Sequence, residues 1–275
     1  MSQNSQQEHV SQKKVVYSIH GMTDVRVLHD LPYVESEAGA QTMDVYYPPG
    51  SQGSGARTPA VVFVTGYSDA GAQMILGCKF KEMQSYISWG RLTAASGLVA
   101  IIYTNREPAS DLQALLEHLR RNAARLCIDE NRIGVWACSG NVPLTLSALM
   151  RESNDFLKCA ALCYGLMLDL GGATHVAEAA RRWGFVNPCS GKSVIDLPPG
   201  LPLFIVRAGR DETPHLNETI DSFMCEALAH NLPVTLVNHP AAPHAFDLFD
   251  ESETSGEIIR QILSFMRFHL LPIPG

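Results

Sequence analysis

The stretch Ile128–Asn141, IDENRIGVWACSGN, decides the fold. Its Arg132–Ala137 segment is a short apolar run, as a strand buried on both faces requires. The run stops at Cys138, and a helix candidate, Val142–Arg151, starts a few residues later. Between them stands one serine, Ser139. A tight strand-to-helix turn lifts such a serine above the sheet, and small neighbours permit the strained backbone. The helix N-terminus then aims amide hydrogens and a positive dipole end at the serine oxygen. Ala137 and Asn141 stand where a G-x-S-x-G turn carries glycines. Asn tolerates unusual backbone angles better than most residues, so the turn stays open to it. The plainer reading of Ser139 is an N-cap on an ordinary helix.

Outward from this turn, strands and helices alternate. Upstream, Gln41–Tyr47 alternates as a strand does, and Ala60–Val64 (AVVFV) is a continuous apolar run. The Gly/Pro/Ser-rich residues 48–59 form the loop between them. A helix is expected over 80–97 and a strand over Gly97–Thr104. A second helix spans Ser110–Leu126, where Leu112, Leu115, Leu116 and Leu119 recur at helical spacing and Ser110 or Asp111 offers a cap. Downstream, strands are expected at Cys159–Tyr164, Leu203–Ala208 and Val234–His239, with helices over 214–230 and Glu257–Leu270. This order predicts an α/β fold: a mostly parallel, doubly wound sheet with helices on both faces. Residues 165–200, rich in Gly and Pro, break the rhythm and read as a small cap-like insertion over the strands' C-terminal edge. Residues 1–15 read as a disordered tail, leaving 16–275 as a single domain.

Two further segments carry chemistry. In LFIVRAGRD (203–211) a strand leads to Asp211, which either orients a base or simply caps the helix that begins near Pro214. In VTLVNHPAAPHAF (234–246) a strand leads to a loop bearing His244, a side chain that titrates near neutral pH. His239 and His215 compete, but the first ends a strand and the second is too near Asp211. The order Ser139, Asp211, His244 is that of a serine–acid–histidine triad, and each member follows an expected strand.

These segments resemble the α/β-hydrolase superfamily, above all its dienelactone-hydrolase-like and prolyl-oligopeptidase-like esterase branch. The resemblance runs from about residue 25 to the end and rests on AVVFVTGY (60–67), IDENRIGVWACSGN, AGRDE (208–212) and PHAF (243–246). It implies Ser139 as nucleophile, His244 as base and Asp211 as acid. Relatives carry His-Gly where this chain has Thr65-Gly66, which implies an oxyanion hole made by the backbone N–H groups of Gly140 and Tyr67. The Tyr67 hydroxyl is the alternative donor, and Gly66 alternatively a plain turn glycine. Cys138 is an alternative nucleophile, but the strand's approach puts Ser139 at the apex. The substrate pocket is expected to draw on Tyr67, Tyr164, Met167, Trp183 and Phe185, each of which reads equally well as core.

The implied activity is hydrolysis of carboxylic esters of small to medium acyl chain through an acyl-enzyme. The alternatives are a peptidase or amidase of the oligopeptidase type and a non-catalytic ligand-binding homologue. No metal or other cofactor is expected, and the phosphate loops GxGxxG and GxxxxGK[ST] are absent. The chain carries 21 basic and 28 acidic residues, a net charge of −7, without the concentrated basic patch that nucleic acid needs. No apolar run is long enough to span a membrane. The N-terminus lacks a signal-like apolar stretch, and seven scattered cysteines suit free thiols, so a cytoplasmic setting is expected. A homodimer is compatible with the sequence.

Overall fold

The computed structural model describes residues 8–37, 39–51 and 57–272. In chain order the elements are β1 (Arg26–Val34), β2 (Gln41–Tyr47), β3 (Thr58–Phe63), α1 (Asp69–Leu76), α2 (Gln84–Ala95), β4 (Val99–Tyr103) and α3 (Pro108–Arg121). The second half follows as β5 (Ile128–Cys138), α4 (Val142–Leu149), β6 (Leu157–Cys163), α5 (His175–Trp183), β7 (Leu203–Ala208), α6 (Leu216–Ala229), β8 (Val234–His239), α7 (Phe246–Phe249) and α8 (Glu253–Leu270). The strands form one sheet in the order β1-β2-β4-β3-β5-β6-β7-β8. From β4 to β8 every pairing is parallel; β2 joins β4 and β1 joins β2 antiparallel.

The pleat of β5 explains the layering. Ile133, Val135 and Ala137 face a core shared with Leu112, Leu115 and Leu119 of α3 and with α4 and α6. Trp136 faces the opposite core, with Trp89 and Leu92 of α2 and Ile259 and Met266 of α8. Each fully buried Val, Leu, Ile or Met among them contributes about 1.5–3 kcal/mol relative to exposure. Gly134 has a packing reason, since a Cβ there would stand 3.0 Å from Leu270 Cδ1 on α8.

Two expectations change. Residues 1–7 of the expected disordered tail lie outside the described residues. Residues 8–15 are ordered, with a 3-10 turn at Val10–Gln12 and Val15 buried in the α2/α8 core, because these valines find apolar partners there. Helix α3 starts at Pro108 rather than at Ser110, because Pro is pre-set for a first turn and Asp111 caps from inside it. The Asp111 carboxylate accepts the N–H groups of Arg106 and Glu107 at 2.6 and 2.9 Å. Residues 165–200 hold α5 and a 3-10 turn at Val194–Asp196. This segment is tied to the strands' C-terminal edge by Val186 N–H on Gly66 O (2.9 Å) and Cys189 Sγ on Pro143 O (3.1 Å). Among the described residues no helix is long and apolar enough to cross a membrane.

Candidate active site

Ser139 sits at the turn between β5 and the helical segment that leads into α4, with φ of 54°. A left-handed backbone at a non-glycine residue is costly, and such strain collects where a side chain must be aimed. Cys138, one residue earlier, is still extended, with φ −136° and ψ 156°. Burial, then the nearby Asp247 carboxyl, pushes the Cys138 thiol up to about 12. A thiol so raised offers little thiolate at neutral pH.

Gly140 is confined. A Cβ there would stand 2.6 Å from Phe185 Cδ1 and 2.7 Å from the Tyr67 hydroxyl oxygen. Gly66 is confined too, since its Cβ would stand 2.9 Å from Gly140 O. The turn after β5 and the loop after β3 are therefore in contact through glycines on both sides. Asn141, which replaces a glycine of the usual pattern, joins them. Its Oδ1 accepts the Gly66 N–H at 2.7 Å, and its Nδ2 donates to the Tyr86 hydroxyl at 3.2 Å. The N–H groups of Tyr67 and Gly140 have no acceptor among the described residues. Burial, then Cys138, pushes the Tyr67 phenol up to about 12, so it stays protonated at neutral pH and remains a donor.

Asp211 and His244 come from the loops after β7 and β8. Those loops are zipped by Gly209 N–H on His239 O and Arg210 N–H on Ala242 O, both at 2.8 Å. Gly209 permits the approach, since a Cβ would stand 2.6 Å from Pro240 O. Asp211 Oδ2 is 2.6 Å from His244 Nδ1, and Asp211 Oδ1 accepts the Thr213 N–H at 2.9 Å. The Asp211 side chain is fully covered and the His244 ring about one-third exposed (35%). Burial would raise the Asp211 carboxyl, but the His244 hydrogen bond and charge, with the Thr213 contacts, outweigh it and hold it below its ordinary value. A carboxylate only accepts, so this contact fixes the proton on Nδ1 and leaves the Nε2 lone pair for another group.

Ser139 and His244 line one cavity of about 210 Å³, with Tyr67 and Tyr164 beside them and Tyr86, Trp89 and Trp136 deeper. Ile75 of α1 and Phe249 of α7 also line it and are half-exposed. Of the residues expected in the pocket, Tyr67 and Tyr164 line the cavity. Met167 does not, because it is fully buried in the α3/α4/α6 core. Trp183 does not, because it ends α5 facing solvent, with the Arg182 guanidinium over its ring. Phe185 is buried against Gly140 and Tyr67 and shapes the turn rather than the cavity.

Sequence reasoning missed Asp247. This carboxyl is buried, accepts Trp89 Nε1–H at 2.8 Å and the Tyr164 hydroxyl at 2.7 Å, and lines the cavity. Burial raises it above the ordinary carboxylate range, against those two donors. Tyr164 holds φ of 37° and meets the His244 ring edge-on at 5.0 Å. The position of Asp247, three residues after the loop histidine, was the available signal; nothing in the sequence marks it as buried. The competing histidines are elsewhere. His239 is buried and bonded to Asp250 and Ser255, and His215 stacks on His175.

No protein-family model and no curated protein matches the chain. Solved structures do. A thermophilic esterase of the planctomycete Thermogutta terrifontis is 19% identical with a TM-score of 0.65, over 92% of this chain and 96% of its own. An α/β-hydrolase from a Medee basin deep-sea metagenome library is 16% identical with a TM-score of 0.62, over 90% and 98%. A bacterial heroin esterase is 15% identical with a TM-score of 0.65, over 94% and 88%. At such identities the likeness concerns the fold, and the fold is that of the α/β-hydrolases.

Proposed function

We propose that this chain is a serine hydrolase that cleaves carboxylic esters of small to medium acyl chain, akin to the dienelactone-hydrolase-like esterases its motifs resemble. One observation carries the reading. A serine held in a left-handed turn shares an apolar cavity with a histidine whose other ring nitrogen is held at 2.6 Å by a covered carboxylate. A helix N-cap needs neither the strain nor the partners. The esterase names of the structural neighbours agree with this reading.

In the proposed reaction the Nε2 atom of His244 takes the Ser139 proton as the serine oxygen attacks the ester carbonyl. Asp211 stabilises the imidazolium and keeps its orientation. The N–H groups of Gly140 and Tyr67 receive the developing oxyanion; one such donor is worth about 3 kcal/mol. His244 then gives the proton to the leaving alcohol, and water, deprotonated by the same imidazole, releases the acid. The largely apolar, aromatic cavity beside Ser139 favours a short acyl or aryl group.

A fluorophosphonate probe and 4-nitrophenyl butyrate test this. Wild type is expected to label and turn over, Ser139→Ala to do neither. Absence of labelling on folded wild-type protein overturns the reading in favour of a binding protein. Cleavage of peptide anilides in preference to the ester overturns the substrate class.

A further inference from the structure

We propose that His175, His215 and Glu218 form a binding site for a divalent first-row transition metal ion such as zinc, fastening the 165–200 segment to the loop that carries Asp211. His175 is the first residue of α5, His215 directly precedes α6, and Glu218 lies in the first turn of α6. The two imidazoles stack at 4.0 Å, 9° from parallel. His215 Nδ1 is 2.6 Å from Glu218 Oε2, and His175 Nε2 is 3.9 Å from the same oxygen. The three ligand atoms all lie within 4.8 Å of one another, and no other such trio of His, Cys, Asp or Glu occurs among the described residues.

The donor set selects the ion. Two imidazole nitrogens and one carboxylate oxygen suit zinc, nickel or copper, whereas magnesium and calcium prefer oxygen alone. Zinc holds such ligands at about 2.0–2.2 Å, so ligand atoms in a tetrahedral shell stand about 3.4 Å apart. The observed spacings bracket that value, and because each metal–nitrogen bond lies in its imidazole plane, the two rings must turn out of their stack about their side-chain torsions to aim at one ion. The three side chains are partly exposed, His175 by 34%, which leaves an entry path and room for water to complete the shell.

His215 adopts this place through an unusual backbone. Its φ of 60° is left-handed, and that turn carries the imidazole over His175 instead of along α6. The plain alternative is a pair of imidazoles on one surface carboxylate, with no affinity for metal. The two readings separate because a metal needs all three donors at once. Occupancy would tie the start of α5 to the segment between Asp211 and α6, where the Thr213 N–H already holds Asp211.

The test is calorimetric titration of zinc chloride into chelator-treated, desalted protein, with thermal unfolding alongside. One ion per chain is expected, with a dissociation constant on the order of micromolar or tighter, and no heat from magnesium. His175→Ala and Glu218→Gln are each expected to weaken binding by at least about tenfold and to abolish the zinc-dependent rise in Tm. Both positions are partly exposed, so these variants are expected to unfold like wild type without metal. No zinc binding at concentrations on the order of 100 µM overturns the proposal. So does binding that survives His175→Ala unchanged. The readout is independent of any hydrolytic activity.

Discussion

The Gly66 N–H donates to Asn141 Oδ1 at 2.7 Å, so a single buried hydrogen bond joins the two loops that offer backbone N–H groups around Ser139. The residue that departs most from the glycine pattern thus acts as a brace. Asn141→Ala leaves the Gly66 N–H without an acceptor, at a cost of about 1–3 kcal/mol. Thermal unfolding is expected to show that loss. The ester-hydrolysis kcat is expected to fall with it, since misplaced oxyanion donors weaken the transition state more than the ground state. A variant as stable and active as wild type would remove the brace from this account.

Gly140→Ala is expected to destabilise by overpacking, because its Cβ overlaps Phe185 Cδ1 at 2.6 Å and the Tyr67 hydroxyl at 2.7 Å. Overpacking of this kind typically costs about 1–3 kcal/mol. Adding Phe185→Ala relieves one of the two overlaps, so the double variant's loss by denaturant unfolding is expected to be smaller than the sum of the two single losses. Additive losses in the double variant would mean that the turn moves as a unit instead.

Asp211→Asn tests the acid. Amide for carboxylate preserves size but misassigns the histidine proton, and a loss in kcat on the order of 10³–10⁴ is expected. A pH signature accompanies it. The folded Asp211 carboxyl titrates below its ordinary value, so the stability it contributes is present above the unfolded value of about 3.9. That contribution is lost as pH falls through the lower folded value. The unfolding free energies of wild type and Asp211→Asn are therefore expected to differ at neutral pH and to converge in acid. Parallel curves down to the acid limit would show that the carboxylate is not stabilised by its partners.

Much of this arrangement was legible in the sequence. The strands from β2 to β8 betray themselves as alternating or continuous apolar runs, and each candidate triad residue follows one of them. Strand β1 was not legible: Arg26–Val34 lies at the sheet edge with a single buried residue, so burial imprints no apolar pattern on it. Helix α7 is four residues long, too short for periodicity. Pocket residues were misjudged where chain position was the sole guide. Met167 lies just past β6 and Trp183 in the 165–200 segment over the strand ends, but one faces the core and the other solvent. Val10, Trp89 and Asp247 reach the cavity from distant segments, and such long-range meetings leave no local mark.

Cys138→Ala is expected to keep at least about a third of wild-type kcat/KM, a change under about 1 kcal/mol. The thiol lines the cavity but is held protonated, near 12, by burial and by Asp247, and its backbone is extended where that of Ser139 is turned. Inactivation of the wild type by a thiol reagent at neutral pH, absent in Cys138→Ala, would contradict that protonation state.

Tyr67→Phe separates two ways of receiving the oxyanion. The substitution removes the phenolic hydroxyl and keeps the backbone N–H, the ring and its contacts with Phe80 and Phe185. With the amide as donor, kcat is expected to stay within about threefold of wild type, well under the ~10²-fold penalty for a lost oxyanion donor. A drop of that larger size, with KM unchanged, would transfer the role to the hydroxyl. Its oxygen stands 2.7 Å from where a Gly140 Cβ would lie, so it is near enough to inherit it. The same result would explain why a tyrosine, raised to about 12 and thus a permanent donor, follows Gly66 in this chain.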